Sequence, residues 1–418
     1  MNNKILVINQ HFYPEVAATG QLLLDLCVDL VKAGYVVKVI TGNPNGDFNK
    51  KNKTLKRENY KGIEILRLKN TTFNKYRMTG RVLNYLSFHS LVFFQILFCK
   101  KPDLVLVMST PPFISFHGLV LKKLKKVKTI YIVQDLFPDL VIELGKIKNK
   151  YFINILKSLS RCIIRRMDRV VVVGEFMERK IEREILQGLQ GMDSSQIITI
   201  HNWADGEKIS ILRGENEKNL IKAEWGLEGR FIVLYSGNIG DLHEFDTIIS
   251  AAEDLEGQGW EKICFVFIGE GIKKEYIERK AKEKGLNNIL FFPFQPREVL
   301  KYSLGMADVS LVTLDEGFEG MVVPSKIYGI LASGRPVIAV VGGESELTEI
   351  ISKGRCGEIV KIGDYNALSD AVINYYNNSE KCYQEGMNGR KYFEENFDRK
   401  IATEKYIKVI EETLGSLS

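Results

Sequence analysis

Residues 316–336, EGFEGMVVPSKIYGILASGRP, combine the groups that hold a doubly charged anion. Pro324 interrupts regular pairing, and from Ser325 the residues Ile327, Tyr328, Ile330, Leu331 and Ala332 follow a helical stripe that ends at Gly334. The spacing therefore predicts a loop feeding a helix over about 325–333. Backbone N–H groups at a helix start are unpaired and carry partial positive charge, and Ser325 and Lys326 add a hydroxyl and an ammonium. This set suits a diphosphate; the plainer alternative is an ordinary capped helix with a solvated lysine. Two glycine loops precede it, Gly237-Asn238-Ile239-Gly240 and Gly269-Glu270-Gly271, each directly after an apolar run. Neither completes the six-residue dinucleotide fingerprint, but both fit backbone approach to a single nucleotide. The chain has no H-E-x-x-H, no G-x-S-x-G elbow and no P-loop, so those hydrolase and NTPase classes lose their usual support.

The first half offers fewer reactive groups. The segment His11-Phe-Tyr-Pro-Glu-Val-Ala-Ala-Thr-Gly20 follows an apolar strand at 4–9, and Asp135 follows another at 129–133. Open α/β sheets gather ligands at the carboxyl ends of their strands, which puts His11, Thr19, Gly20 and Asp135 on a ligand edge. A lone Asp or His in such a place is more often a cap or turn residue than a catalyst.

The elements that must position these groups alternate strand and helix. In the first half, strands are expected at 4–9, 36–40, 63–68, 104–107, 129–133, 170–173 and 197–200. Residues 43–61, with five lysines, read as a polar loop, and 82–99 as a long apolar helix, interrupted by polar residues and short of a comfortable membrane span. In the second half, strands are expected at 231–235, 263–268, 289–292, 309–312 and 337–340, with helices between or after them at about 245–255, 272–285, 296–305, 325–333, 345–353 and 365–377. An amphipathic helix over 399–414 closes the chain. The fold class is α/β: two doubly wound, Rossmann-like domains facing one another across a cleft. Residues 1–205 form the first, 206–395 the second, and 396–418 pack back on the first.

At 418 residues the chain exceeds one typical core, which agrees with two domains. Its apolar share of 45% and charged share of 26% are those of a globular protein. The six cysteines are scattered without a C-x-x-C pair, so neither a zinc ribbon nor a disulfide framework is expected. Four apolar residues, 5–8, precede polar Asn9 and Gln10, too short a run for a secretory leader, so a cytoplasmic protein is expected. Net charge is uneven. Residues 1–205 carry 32 Lys and Arg against 17 Asp and Glu, +15, and the remainder 26 against 35, −9. Basic runs at 122–126, 146–150 and 161–169 could meet an anionic membrane or nucleic acid; the cluster Phe88, Leu91, Val92, Phe93, Phe94 favours lipid.

The ordered segments FYPEVAATG, PDLVLV, IVQDLFPD, HNWAD, YSGNIG, FIGEG, PSKIYGILASGRPVIA and GESELTEI resemble the GT4 family of GT-B glycosyltransferases over essentially the whole chain. They are most similar to the bacterial branch that builds O-antigen and capsule repeat units, including L-fucosaminyltransferase-like and colanic-acid-type enzymes. The resemblance implies a retaining transferase without a bound metal. Its second domain would bind a nucleotide-sugar, UDP by analogy, and its first an acceptor.

Carried over by position, Gly237-Asn238 stands for the family's glycine-arginine phosphate loop and His243 lies near its lysine. Gly269, Gly271, Pro324, Ser325 and Lys326 complete the donor set, Asp135 stands beneath the sugar, and His11, Thr19 and Gly20 meet the acceptor. The two family glutamates before the Ala-x-Gly-x-Pro end are Met321 and Gly329 here, so Glu316, Glu319, Glu344 and Glu346 are candidates for the ribose. Together with the basic first domain and its apolar helix, this implies a polyprenyl-diphosphate-linked saccharide acceptor at the inner face of the membrane, to which the enzyme binds peripherally. Alternatives on the same architecture are a sugar-nucleotide 2-epimerase and a degenerate sugar-nucleotide-binding subunit.

Overall fold

In the computed structural model, residues 3–15, 17–43, 57–74, 77–186, 196–212 and 220–415 are described. The chain divides into two units. Residues 1–201, 320–322 and 402–418 form unit 1; residues 202–319 and 323–401 form unit 2.

Among the described residues, unit 1 is built on eight strands: β1 (Lys4–Ile8), β2 (Val36–Gly42), β3 (Arg57–Tyr60), β4 (Ile63–Leu68), β5 (Leu104–Met108), β6 (Lys128–Val133), β7 (Arg169–Val172) and β8 (Ile197–Thr199). Their order is β3-β4-β2-β1-β5-β6-β7-β8, parallel throughout except for the β3–β4 pair. Strands buried on both faces must be apolar at successive positions, and β5, LVLVM, is buried at every residue. Four helices of this unit matter below: α1 (Ala18–Lys32), α2 (Met78–Phe98), α3 (Phe116–Lys125) and α4 (Lys150–Arg166). The sheet order reverses between β1 and β5, and the loops leaving them meet where Gln10 N donates to Thr110 O at 3.2 Å. Such a reversal opens a crevice at the carboxyl ends.

Unit 2 repeats the design with β9 (Phe231–Ser236), β10 (Ile263–Ile268), β11 (Ile289–Phe292), β12 (Val309–Leu314), β13 (Val337–Val341) and β14 (Gly357–Lys361), all parallel, in the order β11-β10-β9-β12-β13-β14. Its reversal lies between β9 and β12. The loops after those strands are 237–245, the first glycine loop, and 315–325, the approach to the Pro-Ser-Lys helix. Helices α5 (Asp246–Gly257), α6 (Lys274–Glu283), α7 (Lys326–Ala332), α8 (Glu346–Gly354), α9 (Tyr365–Asn377) and α10 (Ser379–Asn396) cover the sheet, and α11 (Arg399–Leu414) follows. Residues 402–415 of α11 and its end belong to unit 1.

Several expectations shift. Of the polar stretch 43–61, residues 44–56 lie outside the described residues, while 57–60 are no loop but the edge strand β3. The apolar helix starts earlier than 82, and α2 spans 21 residues. By length and composition α2 could cross a bilayer, and only 22% of its most apolar window is buried. Strand β14 and helix α10 add to the predicted elements. Helix α7 has seven residues, and its cap Ser325 makes no side-chain hydrogen bond.

Candidate active site

Lys326, the first residue of α7, lays its side chain back toward the end of β9. Its Nζ lies 3.6 Å from the centroid of the Tyr235 ring, and a Cβ built on Gly237 would come within 3.4 Å of its Cε. The residue is half-buried, but its ammonium is shielded from solvent and has no hydrogen-bond partner among the described residues. Burial holds its pKa well below the ordinary lysine value. A buried cation offered only an aromatic face is under-satisfied, since a ring quadrupole replaces little of its hydration. An anion resting on the Gly237 loop would supply what it lacks.

The loop above it is fixed by backbone. Gly237 N donates to Ile268 O at 2.8 Å, Ile239 N to Glu270 O at 3.0 Å, and the Tyr235 hydroxyl to Asn238 O at 2.8 Å. Gly237 itself has φ +138°, a conformation that side chains disfavour. The second glycine loop lies directly behind the first. Any Cβ on Gly269 would overlap Gly237 O, and one on Gly271 would overlap Ile239 O, so both glycines are required by the close approach of two backbones. Asn238 is exposed at the tip.

His243 is buried beside this cluster, its ring 6.0 Å from that of Tyr235. Its Nδ1–H donates to Thr313 O at 2.6 Å, which leaves Nε2 as the unprotonated nitrogen. Burial and then the charge of Lys326 push its pKa well down, so the ring is neutral. Lys273, which sequence reasoning passed over, donates to His243 O at 2.6 Å and lies 3.8 Å from Asp315. It adds a second cation behind the loop. Pro324 and Ser325 form the first turn of α7, accepting from Ile327 N at 3.2 Å and Tyr328 N at 3.3 Å.

The residues at the family's two glutamate positions turn away from polar work. Met321 is buried, and a Cβ on Gly329 would meet Leu304 at 3.4 Å and Ile209 at 3.9 Å. Of the four replacement carboxylates, Glu316 and Glu344 are exposed, Glu319 is half-buried and Glu346 is buried at the start of α8.

On unit 1, His11 Nδ1 pairs with Glu15 at 2.6 Å, and the His11 carbonyl accepts from Asn9 Nδ2 at 2.6 Å. A Cβ built on Gly20 would lie 3.5 Å from that carbonyl, and Thr19 beside it is half-buried. The loop is anchored from the edge strand: Arg67, buried and paired with Glu58 at 2.8 Å, donates to Tyr13 O at 2.6 Å, and Tyr13 stacks on Tyr60 at 4.1 Å. Asp135 follows β6, where Gln134 N and Asp135 N both donate to Ser109 Oγ, at 3.1 and 3.3 Å. Burial raises its pKa to about 6.

Residues 19–208 match the family described as Glycosyltransferase Family 4, and residues 217–392 that described as Glycosyl transferases group 1. The chain is a glycosyltransferase. Among relatives of this glycosyltransferase, WbjE of Pseudomonas aeruginosa, itself named a glycosyltransferase, is 27% identical over 312 residues, 73% of this chain and 74% of WbjE. WcaI of Escherichia coli (strain K12), named for colanic acid biosynthesis, is 26% identical over 358 residues, 83% and 85% of the two chains. The fold is GT-B. HepE of Anabaena, solved in complex with UDP and glucose, superposes with a TM-score of 0.72 at 15% identity, over 100% of both chains.

Within this glycosyltransferase, Gly237, Lys326 and His243 share one cluster, and Gly269 and Gly271 support it from behind. The arrangement can receive an anion on a backbone loop over a shielded cation. His11, Thr19 and Gly20 form a second group on unit 1. Sequence reasoning missed Tyr235, Lys273 and Arg67. Tyr235 reads only as a strand residue, and Arg67 and Lys273 are single cations in lysine-rich surroundings.

Proposed function

We propose that the enzyme transfers a sugar from a UDP-sugar to a polyprenyl-diphosphate-linked saccharide at the inner face of the cytoplasmic membrane, in the assembly of a bacterial surface polysaccharide. Unit 2 binds the donor and unit 1 the acceptor. The observation that carries this reading is the shielded, unpartnered Lys326 ammonium beneath Gly237. The UDP bound by HepE and the name of WcaI support the donor base and the product class. The transferred sugar is N-acetyl-L-fucosamine or another N-acetylhexosamine, a choice set by pocket shape.

As the glycosidic bond loosens, the departing diphosphate gains charge. Lys326 interacts with that charge more strongly in the transition state than in the ground state, which lowers the barrier. Asn238 and Ser325 sit at the same phosphates. The departing phosphate oxygen accepts the acceptor hydroxyl's proton on the same face, so configuration is retained without a strong protein base. Asp135 orients the acceptor or stabilises positive charge at the anomeric carbon. Since Lys326 supplies the cation, no metal is needed.

Exposed Phe94, Phe98, Val82, Leu83 and Leu86 on α2 and Tyr151, Phe152 and Ile155 on α4 form apolar surface on a basic unit, suited to an anionic bilayer. The experiment is a transfer assay with UDP-N-acetylhexosamines and a polyprenyl-diphosphate-linked acceptor. Transfer with retained anomeric configuration is expected. An epimerised donor in the absence of acceptor, or donor binding without transfer to any lipid-linked acceptor, contradicts the reading.

A further inference from the structure

A cavity of about 640 Å³ in unit 1 lies away from the loops discussed so far. It opens at the amino-terminal ends of the strands, where Lys128 begins β6, Arg169 begins β7 and Gln196 precedes β8. Asp135 is beyond the opposite end of β6, about 20 Å off at the usual rise per strand residue. This site is therefore independent of the donor and acceptor groups.

Six cationic side chains line it, Lys122, Lys123, Lys128, Arg165, Arg166 and Arg169, against the two carboxylates Asp168 and Glu412. Part of this charge has a structural use. Lys122 Nζ donates to Arg166 O at 2.7 Å and pairs with Asp168 at 3.0 Å, and Arg166 caps its own helix through Cys162 O at 3.3 Å. The other Asp168 oxygen accepts from Thr129 N and Oγ1 at 2.9 and 2.8 Å, so this carboxylate is fully engaged. Lys123, Lys128 and Arg169 form no ion pair among the described residues. Two further atoms are unmet: Arg169 Nε and Gln196 Oε1 are both shielded from solvent and without partners among the described residues. One is a charged donor and the other a neutral acceptor.

We propose that this cavity binds a phosphate ester bearing a free hydroxyl, with the phosphate held by Arg169, Lys123 and Lys128 and the hydroxyl donated to Gln196 Oε1. Arginine matches phosphate geometry through its fork of donors, and an amide oxygen repels phosphate but accepts from a hydroxyl. The volume fits a small polyol phosphate. That chemistry is shared by a phosphoglycerol lipid headgroup and by a soluble sugar or glycerol phosphate. Exposed Leu124 on α3, next in sequence to Lys123, would meet acyl chains in the first case.

The test uses the full chain carrying Lys326→Ala, which removes the donor-site cation, and titrates glycerol 3-phosphate. Saturable binding is expected, weakened at least about tenfold by adding Lys123→Gln, Lys128→Gln and Arg169→Gln. Lys123 and Lys128 are exposed, so the pair without Arg169→Gln provides a variant whose folding is not at stake. Vesicles of phosphatidylcholine with phosphatidylglycerol separate the sources. If the same substitutions weaken vesicle binding and glycerol 3-phosphate competes with it, the ligand is a headgroup; if vesicle binding is unchanged while glycerol 3-phosphate binding is lost, it is soluble. No binding of glycerol 3-phosphate, or binding indifferent to all three substitutions, overturns the proposal. Neither result bears on the donor site, which Lys326→Ala has already disabled.

Discussion

The Lys326 ammonium rests 3.6 Å from the centre of the Tyr235 ring, beside Gly237 and without a hydrogen-bond or ion-pair partner among the described residues. A lysine so placed is unfavourable in the empty protein and favourable once a diphosphate arrives. Stability and function should therefore move in opposite directions on its removal.

Lys326→Met should raise the melting temperature of the free enzyme while abolishing the rise that UDP produces in the wild type. Removing an unpaired buried charge stabilises by about 1–3 kcal/mol, whereas losing a charge-assisted phosphate contact costs at least about tenfold in affinity. Thermal melts with and without UDP measure both. A variant that keeps wild-type turnover contradicts the phosphate role.

The same lysine sets a pH dependence. Its folded pKa lies well below the unfolded value near 10.5, so between the two the unfolded state holds more protons and stability rises with pH. Lys326→Met should flatten that rise. Diphosphate binding favours the ammonium, so UDP affinity should fall as pH increases, with proton uptake on binding seen as a buffer-dependent heat. Buffer-independent heats would contradict this.

Gly269→Ala should damage the fold as well as the activity, because its methyl would collide with Gly237 O. A loss of roughly 2–4 kcal/mol is expected, with donor affinity falling in parallel. Denaturant unfolding separates it from Lys326→Met, which should lose activity while gaining stability. A Gly269→Ala protein of normal stability would show that the two loops can part at little cost.

Asp135 has a folded pKa raised to about 6 from an ordinary value of 3.8, so the native state holds more protons between those limits and stability falls as pH rises through them. Asp135→Asn should accordingly stabilise the protein at pH 7 by about 1–3 kcal/mol and leave it unchanged near pH 4. If the ionised carboxylate serves the reaction, wild-type turnover drops below about pH 6, and the variant is slow at every pH with that limb gone. An active Asp135→Asn enzyme would remove this residue from the mechanism.

Much of the architecture was legible in the sequence because parallel strands are buried on both faces and read as unbroken apolar runs: ILFF at β11 and ICFVFI at β10 were placed to the residue. Strand β3, RENY, escaped because an antiparallel edge strand is wetted and polar. Helix α10 escaped for a different reason. Its buried positions include Gly386 and Gly389, which bring the helix backbone against Gly334 and Cys356, and glycines in a polar segment read as a turn. At the candidate site, Lys326 and Gly237 could be singled out from loop chemistry alone. That one lies beneath the other, over Tyr235, depends on strands β9 and β12 being neighbours across the sheet reversal, a long-range pairing that no local pattern encodes.

The most direct measurement compares the affinities of UDP and uridine, and in parallel GDP and guanosine, for the wild-type enzyme and Lys326→Met. For the cognate base, the diphosphate should bind at least about tenfold tighter than the nucleoside in the wild type, and that gap should collapse in the variant while nucleoside binding persists. An equal gap in both proteins would mean that Lys326 does not hold the diphosphate.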